Sequence, residues 1–430
     1  MTVNRLIKNR CFVAVCLLII VKSSTWSAAI PWNPTVSGSI ADWNQQSAIK
    51  WLSVSGSPGE DWINRVIETS DGSIVAAGYI GRKDDSKEPP DWTAVALKYS
   101  AAGKLLWSSA FGGPGVDAVW AVRETSNHNF VMAGFSVGEP GNGWDAYLVV
   151  LNAKGDLQFE KHFGGPQDDR ATDVLVTRDG NFLLVGETRS FGAGERDVFL
   201  VKTDSQGKEL WHKAYGGPKM DRGFAAVETS DRGIVVIGAT GTDDKHDGLV
   251  FKVDADGKEI WRIIIPGDKN VTPHFVNLLP SGRISVVGYT DSWGATLHDY
   301  FAATISPDGV LEQLQTLGGK DDDRAMTSIT DAHGVTWIIG YSKTFSSTGW
   351  DILIAQVGAD GTFAPSVIVL GTPYADNGTT IAEARNGDLL IAGYTDAPSR
   401  GKAPPDFFVM RLDPKKLQRV QIGVAIKTIR

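Results

Sequence analysis

Residues 107–145 have the sequence WSSAFGGPGVDAVWAVRETSNHNFVMAGFSVGEPGNGWD. This stretch holds an aromatic residue, a Gly-Gly-Pro turn, an Asp, an alternating apolar run, a turn, a second apolar run ending Ala-Gly, and a loop ending Trp-Asp. The same order of features recurs along the chain, with partial departures. The 430 residues therefore form a tandem array, and length alone does not give the number of domains.

The leading aromatic position gives the period of the array. Successive copies are separated by 56, 52, 52, 50, 52 and 52 residues. The position is occupied by Trp51, Trp107, Phe159, Trp211, Trp261, Gln313 and Pro365. Spacing this regular indicates seven copies of one structural unit.

Each copy contains four runs in which apolar residues alternate, for example residues 74–79, 93–99, 105–111 and 118–124. Four short strands per repeat of this length are typical of a propeller blade. The sequence thus predicts an all-β protein, a seven-bladed β-propeller with four antiparallel strands per blade, over residues 46–430. Residues 49–54 and 417–422 both match the fourth-strand pattern, so either could complete the last blade.

The repeat, written W…FGG…D…T-DG…V-G-x-T…D…K-x-D-x-x-G-K-x-x-W, resembles the β-propeller repeats of exported bacterial surface proteins. The resemblance covers most of the chain and implies the fold. It does not imply an activity, because such folds carry many functions.

The N-terminus predicts export. Residues 1–29 combine a basic leader, a short apolar run and small residues before the expected cleavage site, and residues 30–45 are expected to be a linker. Both cysteines, Cys11 and Cys16, lie in this signal peptide, so the mature chain has no disulfide. We expect a secreted or periplasmic monomer without a transmembrane segment.

Charge argues against one class of partner. Removing the signal peptide takes away four basic residues and no acidic residue, which changes the net charge from −8 to −12. An acidic surface repels a phosphate backbone, so we do not expect nucleic acid as a partner.

Two sets of aspartates recur with the blades. The first begins the first strands and comprises Asp61, Asp117, Asp169, Asp221, Asp323 and Asp376. The second begins the third strands and comprises Asp91, Asp145, Asp197, Asp247, Asp299, Asp351 and Asp406. A residue repeated in nearly every blade is expected to be structural, accepting turn amides or hydroxyl groups. No cofactor is expected. The alternative for these carboxylates is that some of them bind a divalent cation such as calcium or manganese.

Departures from the repeat predict a catalytic site. His246, His274 and His298 fall in blades four and five on the face that carries the longer loops, with Tyr300 and Arg222 nearby in the repeat. Imidazoles bind metals or transfer protons near neutral pH. His, Tyr and Arg together resemble what some propeller-type polysaccharide lyases use, although the spacing is not a metal motif.

Tryptophans predict a binding surface on the same face. The residues are Trp62, Trp92, Trp120, Trp144, Trp293 and Trp350, and Arg196 belongs to the same neighbourhood. Exposed indole rings stack on sugar rings, although such residues can equally cover neighbouring loops.

Two functions follow from these patterns. The first is an exported binding or scaffolding protein that recognises a protein or glycan through its loop face. The alternative is a polysaccharide lyase or glycoside hydrolase with a His/Tyr/Arg site that acts on an acidic polysaccharide. The chain has no H-E-x-x-H, phosphate-loop or dinucleotide motif, which favours binding.

Overall fold

The computed structural model describes residues 35–36, 43–57, 59–81, 92–113, 115–137, 143–346, 349–396, 405–422 and 425–429. The predicted signal peptide and Asp91 lie outside these residues. The described strands form seven antiparallel sheets arranged in a ring, which confirms the predicted seven-bladed propeller. The first strand of each blade contacts the first strands of both neighbours, including blade 7 with blade 1, so the ring is closed.

The strands of each blade are given from the central channel outward. Blade 1 comprises Asp61–Glu68, Ile74–Gly81, Trp92–Tyr99 and Leu105–Phe111. Blade 2 comprises Asp117–Glu124, Phe130–Val137, Trp144–Leu151 and Leu157–Phe163. Blade 3 comprises Asp169–Val176, Phe182–Thr188, Asp197–Thr203 and Glu209–Tyr215. Blade 4 comprises Met220–Glu228, Ile234–Gly241, His246–Val253 and Glu259–Ile265.

The last three blades each carry a fifth, short strand at the outer edge. Blade 5 comprises Val271–Leu278, Ile284–Thr290, Asp299–Ile305, Leu311–Leu317 and Ile426–Thr428. Blade 6 comprises Asp323–Thr330, Thr336–Ser342, Asp351–Val357, Ser366–Leu370 and Val420–Gln421. Blade 7 comprises Asp376–Glu383, Leu389–Thr395, Asp406–Leu412, Ile49–Gly56 and Thr35–Val36.

The N-terminal strand closes the ring, which answers the question that the sequence left open. Ile49–Gly56 pairs antiparallel with Asp406–Leu412 and is the fourth strand of blade 7. Packing begins before this strand, because Trp43 is buried and its ring meets Phe408 edge-on at 5.1 Å. Blade 7 therefore contains strands from both ends of the chain, and this pairing between residues distant in sequence closes the ring.

The C-terminal segment has a different place. After a single 3-10 turn at Pro414–Lys416, it runs along the outer edges of blades 6 and 5. Two of its own side chains, Leu417 and Ile422, are buried against the blades. These are the two blades whose outer strands lack the leading aromatic residue, having Pro365 and Gln313 instead. The segment therefore covers the part of the ring that lacks this packing residue.

The leading aromatic residues pack beneath a turn of the following blade. Nε1 of Trp107, in blade 1, donates to the carbonyl of Ala153 in blade 2 at 3.2 Å. The turn needs glycine because Gly155 has φ of 86° and because a Cβ there would lie 2.8 Å from the Trp107 ring. The Gly-Lys turn and the aromatic residue of the repeat are thus two halves of one contact between blades.

Every first strand contains a β-bulge, with one residue that has no partner on the second strand. The bulged residues are Asn64, Trp120, Thr172, Phe224, His274, Met326 and Thr379. The bulge brings a carbonyl close to the second strand, where the repeat has glycine: a Cβ on Gly186 would lie 1.8 Å from the Arg170 carbonyl oxygen. A bulge re-aims side chains, so the ring presents seven of them at one level.

The first-strand aspartates brace the connections between blades. The amide of Gly113 donates to Oδ2 of Asp117 at 2.8 Å, and the Ser136 hydroxyl donates to Oδ1. The equivalent amide bonds in blades 3, 4 and 6 reach Asp169, Asp221 and Asp323 at 2.7, 2.8 and 3.2 Å. These are the turn contacts expected of a structural aspartate.

A second carboxylate lies beside the first at the blade boundaries. A Cβ built on Gly216 would lie 2.0 Å from Oδ1 of Asp197 and 2.6 Å from Oδ2 of Asp221, and the same convergence recurs between other blades. Burial, and then the charge of Asp323, raises the pKa of Asp299 to about 6. Burial raises the pKa of Asp61 to about 7, with Asp406 adding to the effect. Glycine at these positions leaves room for both carboxylates.

Helices are limited to single 3-10 turns, at Gln46–Ala48 and Pro414–Lys416, in the described part of the chain. Within that part, none is long and apolar enough to cross a bilayer.

Replacing Gly186 by Ala should destabilise the fold by about 3 kcal/mol, because the new methyl group overlaps a backbone carbonyl that cannot move without breaking the bulge. Urea unfolding of wild type and variant would measure this. Gly217→Ala is the matched control, since a Cβ there meets nothing within 4 Å. Equal stability of the two variants would contradict the role given to the bulge.

Replacing Asp299 by Asn should change the pH dependence of stability. With its pKa raised from 3.8 to about 6, folded Asp299 holds a proton that the unfolded chain releases, so its contribution to stability falls as pH rises through this window. The Asn side chain does not titrate, so the free energy of unfolding of the variant does not fall in this way. Relative to wild type, the variant should become more stable by on the order of 1 kcal/mol between about pH 4 and pH 7, after allowing for solvent screening. Urea unfolding at both pH values tests this, with exposed Asp308→Asn as control.

Candidate functional site

One face of the ring carries both the connections between blades and the loops between second and third strands. We call it the loop face, and we call the mouth of the channel on this face the rim. First strands begin at the loop face, so their second residues and the paired residues of the second strands lie at the rim. Residues just before the third-strand aspartates lie two residues farther toward the loop face, since Trp144 pairs with Val137 rather than with the rim residue Phe135.

The rim positions vary between blades while the framework around them repeats. Counted from the first-strand aspartate, whose position is occupied by Val271 in blade 5, the second residues are Trp62, Ala118, Arg170, Arg222, Thr272, Arg324 and Asn377. Their partners on the second strands are Tyr79, Phe135, Glu187, Ala239, Tyr289, Tyr341 and Tyr394. The third-strand set is Trp92, Trp144, Arg196, His246, His298, Trp350 and Pro405. In blade 1 the register places Thr93, rather than Asp91, level with Asp145 of blade 2.

Aromatic rings fill the rim of blades 7, 1 and 2. Tyr394 and Trp62 stack with centroids 4.2 Å apart, and Tyr79 and Trp92 stack at 4.5 Å. Trp62 and Tyr79 lie 6.2 Å apart and nearly parallel, which joins the two pairs. Trp62, Trp92 and Tyr394 are half-buried, so these rings retain solvent contact.

The row of rings continues into blade 2. Phe135 lies 5.2 Å from Trp144 and 6.5 Å from Trp120, which is the bulged residue of its strand. The Arg170 guanidinium, from blade 3, lies 3.8 Å from the centroid of Trp144. We call the set Tyr394, Trp62, Tyr79, Trp92, Trp120, Phe135 and Trp144 the aromatic sector.

Arg170 borders the aromatic sector without an ion pair to any carboxylate of the described residues. Its Nε is buried and has no hydrogen-bond partner among them. Burial lowers the pKa of Arg170, yet a guanidinium remains charged near neutral pH. This cation–π contact therefore leaves the charge available to an acidic group beside the rings.

On the opposite side, a second group forms around Asp322. Nδ1 of His298 lies 2.8 Å from Asp322 Oδ1, and the Arg324 guanidinium donates to both oxygens of the same carboxylate at 3.0 and 2.9 Å. The Tyr289 ring meets His298 edge-on at 5.2 Å and lies 5.3 Å from His274. We call His274, Tyr289, His298, Asp322 and Arg324 the histidine sector.

His274 occupies the bulge of blade 5 and stacks on Phe224, the bulged residue of blade 4, with centroids 5.6 Å apart. Burial, and then the guanidinium groups of Arg324 and Arg65, lowers the pKa of His274 to about 4. The imidazole is therefore neutral at physiological pH and can accept a proton.

His246 lies apart from the histidine sector. Its Nε2 is 2.8 Å from Oγ1 of Thr272. Burial, and then Arg222, lowers the pKa of His246. A cavity of about 10 Å³ lies between Met220, Arg222 and His246, which is enough for about one water molecule. Arg222 itself lies 3.6 Å from Glu187 and forms an ion pair with Asp243.

The remaining predicted residues lie elsewhere. Tyr300 is fully buried between blades 5 and 6, and its hydroxyl donates to the Leu353 carbonyl at 3.1 Å. Trp293 donates from Nε1 to Pro266 at 3.2 Å, within a loop of blade 5. Trp350 meets Tyr341 edge-on at 5.0 Å in blade 6. Arg196 pairs with Glu187 at 3.2 Å.

Sequence analysis did not single out Tyr79, Phe135, Arg170, Tyr289, Arg324 and Tyr394. Their signal was present, since each occupies a repeat position where other blades carry a different residue type. Because their strands were predicted correctly, an alignment of the seven repeats at the first and second strands would have found them.

No group of three or more His, Cys, Asp or Glu residues in the described ranges is arranged to hold a metal ion. The predicted histidines are distributed between the histidine sector and the Thr272 contact described above. The cation alternative for the aspartates stays a prediction.

Comparison with known proteins adds evidence on the fold. No family model matches the chain. The regulatory protein FlaEY of Caulobacter vibrioides is 29% identical over 298 residues, which cover 63% of this chain and 29% of that protein. The matched region thus spans less than a third of the relative's length.

Among solved structures, polysaccharide lyase Uly1 superposes with a TM-score of 0.51 at 11% identity, covering 83% of this chain and 90% of that one. NanB sialidase of Streptococcus pneumoniae gives a TM-score of 0.47 at 12% identity, covering 91% and 71%. At this level of identity, the likeness to Uly1 shows a shared propeller architecture and nothing beyond it.

Proposed function

We propose that the protein binds a glycan chain at the rim, with the aromatic sector as the binding surface. The observation that carries this proposal is the set of packed rings from Tyr394 to Trp144 across three blades, in which the tryptophans and Tyr394 are half-buried while Tyr79 and Phe135 are buried. Sugar rings present C–H faces that pack on indole and phenol rings, and a rigid row of such rings suits an extended chain. The proposal rests on this surface, because the likeness to Uly1 concerns the fold.

Arg170 supports a glycan with acidic residues. It lies over Trp144 at the end of the aromatic sector, and no carboxylate of the described residues forms an ion pair with it. Guanidinium groups bind carboxylates through two parallel hydrogen bonds. The guanidinium covers one face of Trp144, so a uronate bound beside this pair would place its carboxylate within reach of Arg170.

Replacing Trp62 by Ala should weaken glycan binding about 10-fold or more, since an aromatic contact contributes about 1 to 3 kcal/mol. A glycan array with the mature wild-type chain would find the ligand, and calorimetry would then compare variants. Trp293→Ala is the matched control, because its indole lies in blade 5. Equal loss in both variants, or no glycan bound by wild type, would refute the proposal.

A second candidate is a lyase-type elimination on a uronate in the histidine sector. The supporting observation is that neutral His274, Tyr289 and the pair of His298 and Arg324 on Asp322 are in contact with one another. A base would remove the proton at C5, the C4–O bond would break, and an acid would protonate the departing oxygen, leaving a C4–C5 double bond. His274 could accept the proton, and Arg324 could neutralise the carboxylate.

If this chemistry occurs, Tyr289→Phe should reduce the formation of unsaturated product, followed by ultraviolet absorbance, about 100-fold or more. Tyr300→Phe is the control. It removes a hydroxyl bonded to Leu353 in the core and should leave turnover near that of wild type. An absence of product from a panel of acidic polysaccharides would leave binding as the function. If Tyr300→Phe, but not Tyr289→Phe, abolished turnover, the histidine sector would be the wrong site.

A further inference from the structure

The centre of the ring is crossed by a charged side chain. Arg65 projects from the first strand of blade 1, and its guanidinium lies 4.5 Å from the ring centroid of Phe275 in blade 5. The same group lies 3.9 Å from Oδ1 of Asp173 in blade 3. One arginine thus reaches residues on blades that are not its neighbours, which is possible only from within the channel.

A second arginine shares the same carboxylate. Arg123, from blade 2, donates from its guanidinium to Oδ1 of Asp173 at 3.1 Å. Asp173 is fully buried and also accepts the amide of Ala226 at 3.3 Å. Two positive charges therefore face one negative charge, and the nearby His274 is neutral at physiological pH. Among the described residues, this cluster of Arg65, Arg123 and Asp173 carries an excess of one positive charge.

Arg65 bears the part of this charge that is not neutralised. The residue is 8% exposed, its Nε has no hydrogen-bond partner among the described residues, and its distance to Asp173 exceeds that of a hydrogen bond. The two guanidinium groups lie 3.9 and 3.1 Å from the same Asp173 oxygen, so they repel each other. Burial, and then the charge of Arg123, lowers the pKa of Arg65 to about 10. A buried cation that shares its one nearby carboxylate with a second cation is costly, and proteins commonly pair such a charge.

We propose that the channel binds a small monovalent anion, a halide or a carboxylate, between the guanidinium groups of Arg65 and Arg123. The anion would complete a set of two cations and two anions together with Asp173. Phe275 and the low exposure of Arg65 restrict its size. This site is separate from the aromatic and histidine sectors, and it does not depend on glycan binding.

The first test is thermal unfolding of the mature protein in chloride or acetate against a bulky sulfonate salt at equal ionic strength. Wild type should unfold about 2 °C higher when the small anion is at ten times its dissociation constant, and the effect should saturate. Arg65→Met should abolish this rise, and Arg123→Met should reduce it. The exposed Arg262→Met, on the outer edge of blade 4, should keep the full effect.

Crystals grown in bromide offer a second readout that does not depend on variant stability. An anomalous peak within about 3.5 Å of both guanidinium groups is expected. Water in that place, together with the same unfolding temperature in small and bulky anions, would overturn the proposal. So would a loss of the anion effect in Arg262→Met. Acetate and glucuronate arms then test the size limit: acetate should raise the unfolding temperature and glucuronate should raise it less, and an effect of glucuronate alone would also overturn the proposal.

Discussion

The structure depends on the burial of both faces of every sheet. Strands such as Ile234–Gly241 carry apolar side chains on both sides of the sheet. A blade is therefore stable only when a neighbouring blade covers each of its faces. A row of such sheets would leave its first and last faces in water. The ring removes both exposed faces, and the shared sheet formed by Ile49–Gly56 and Asp406–Leu412 holds the two ends of the propeller together.

This constraint separates framework from function. Residues that maintain the contact between blades repeat: the aromatic residue under the glycine turn, the glycine opposite the bulge, and the aspartate that accepts the turn amide. The rim residues do not hold neighbouring blades together through these three contacts, so their residue types differ from blade to blade. The aromatic sector and the histidine sector arise from the same positions in different blades, so one scaffold presents an apolar stacking surface and a polar cluster across a single mouth.

The loop-face position of several residues could be predicted from the sequence, because the alignment of the repeats gives the position of a residue along its strand. Trp62, Trp92, Trp120 and Trp144 were placed on the loop face and do form one surface. The spacing of the repeats does not show how far a side chain lies from the channel axis or which blade encloses it. Tyr300 and Tyr289 are paired across adjacent strands, yet Tyr300 lies one strand farther out and is enclosed by blade 6, while Tyr289 reaches His274 and His298.

The sequence by itself determined the number of blades, the four strands of each and the face that carries the longer loops, because these follow from local alternation and a regular period. The tertiary structure decided which terminal strand closes the ring, which aromatic rings touch, and that Arg65 and Arg123 meet over Asp173. Those contacts join residues from different blades. They depend on the radius of the closed ring and on the bulge in each inner strand, and neither is encoded in the spacing of a single repeat.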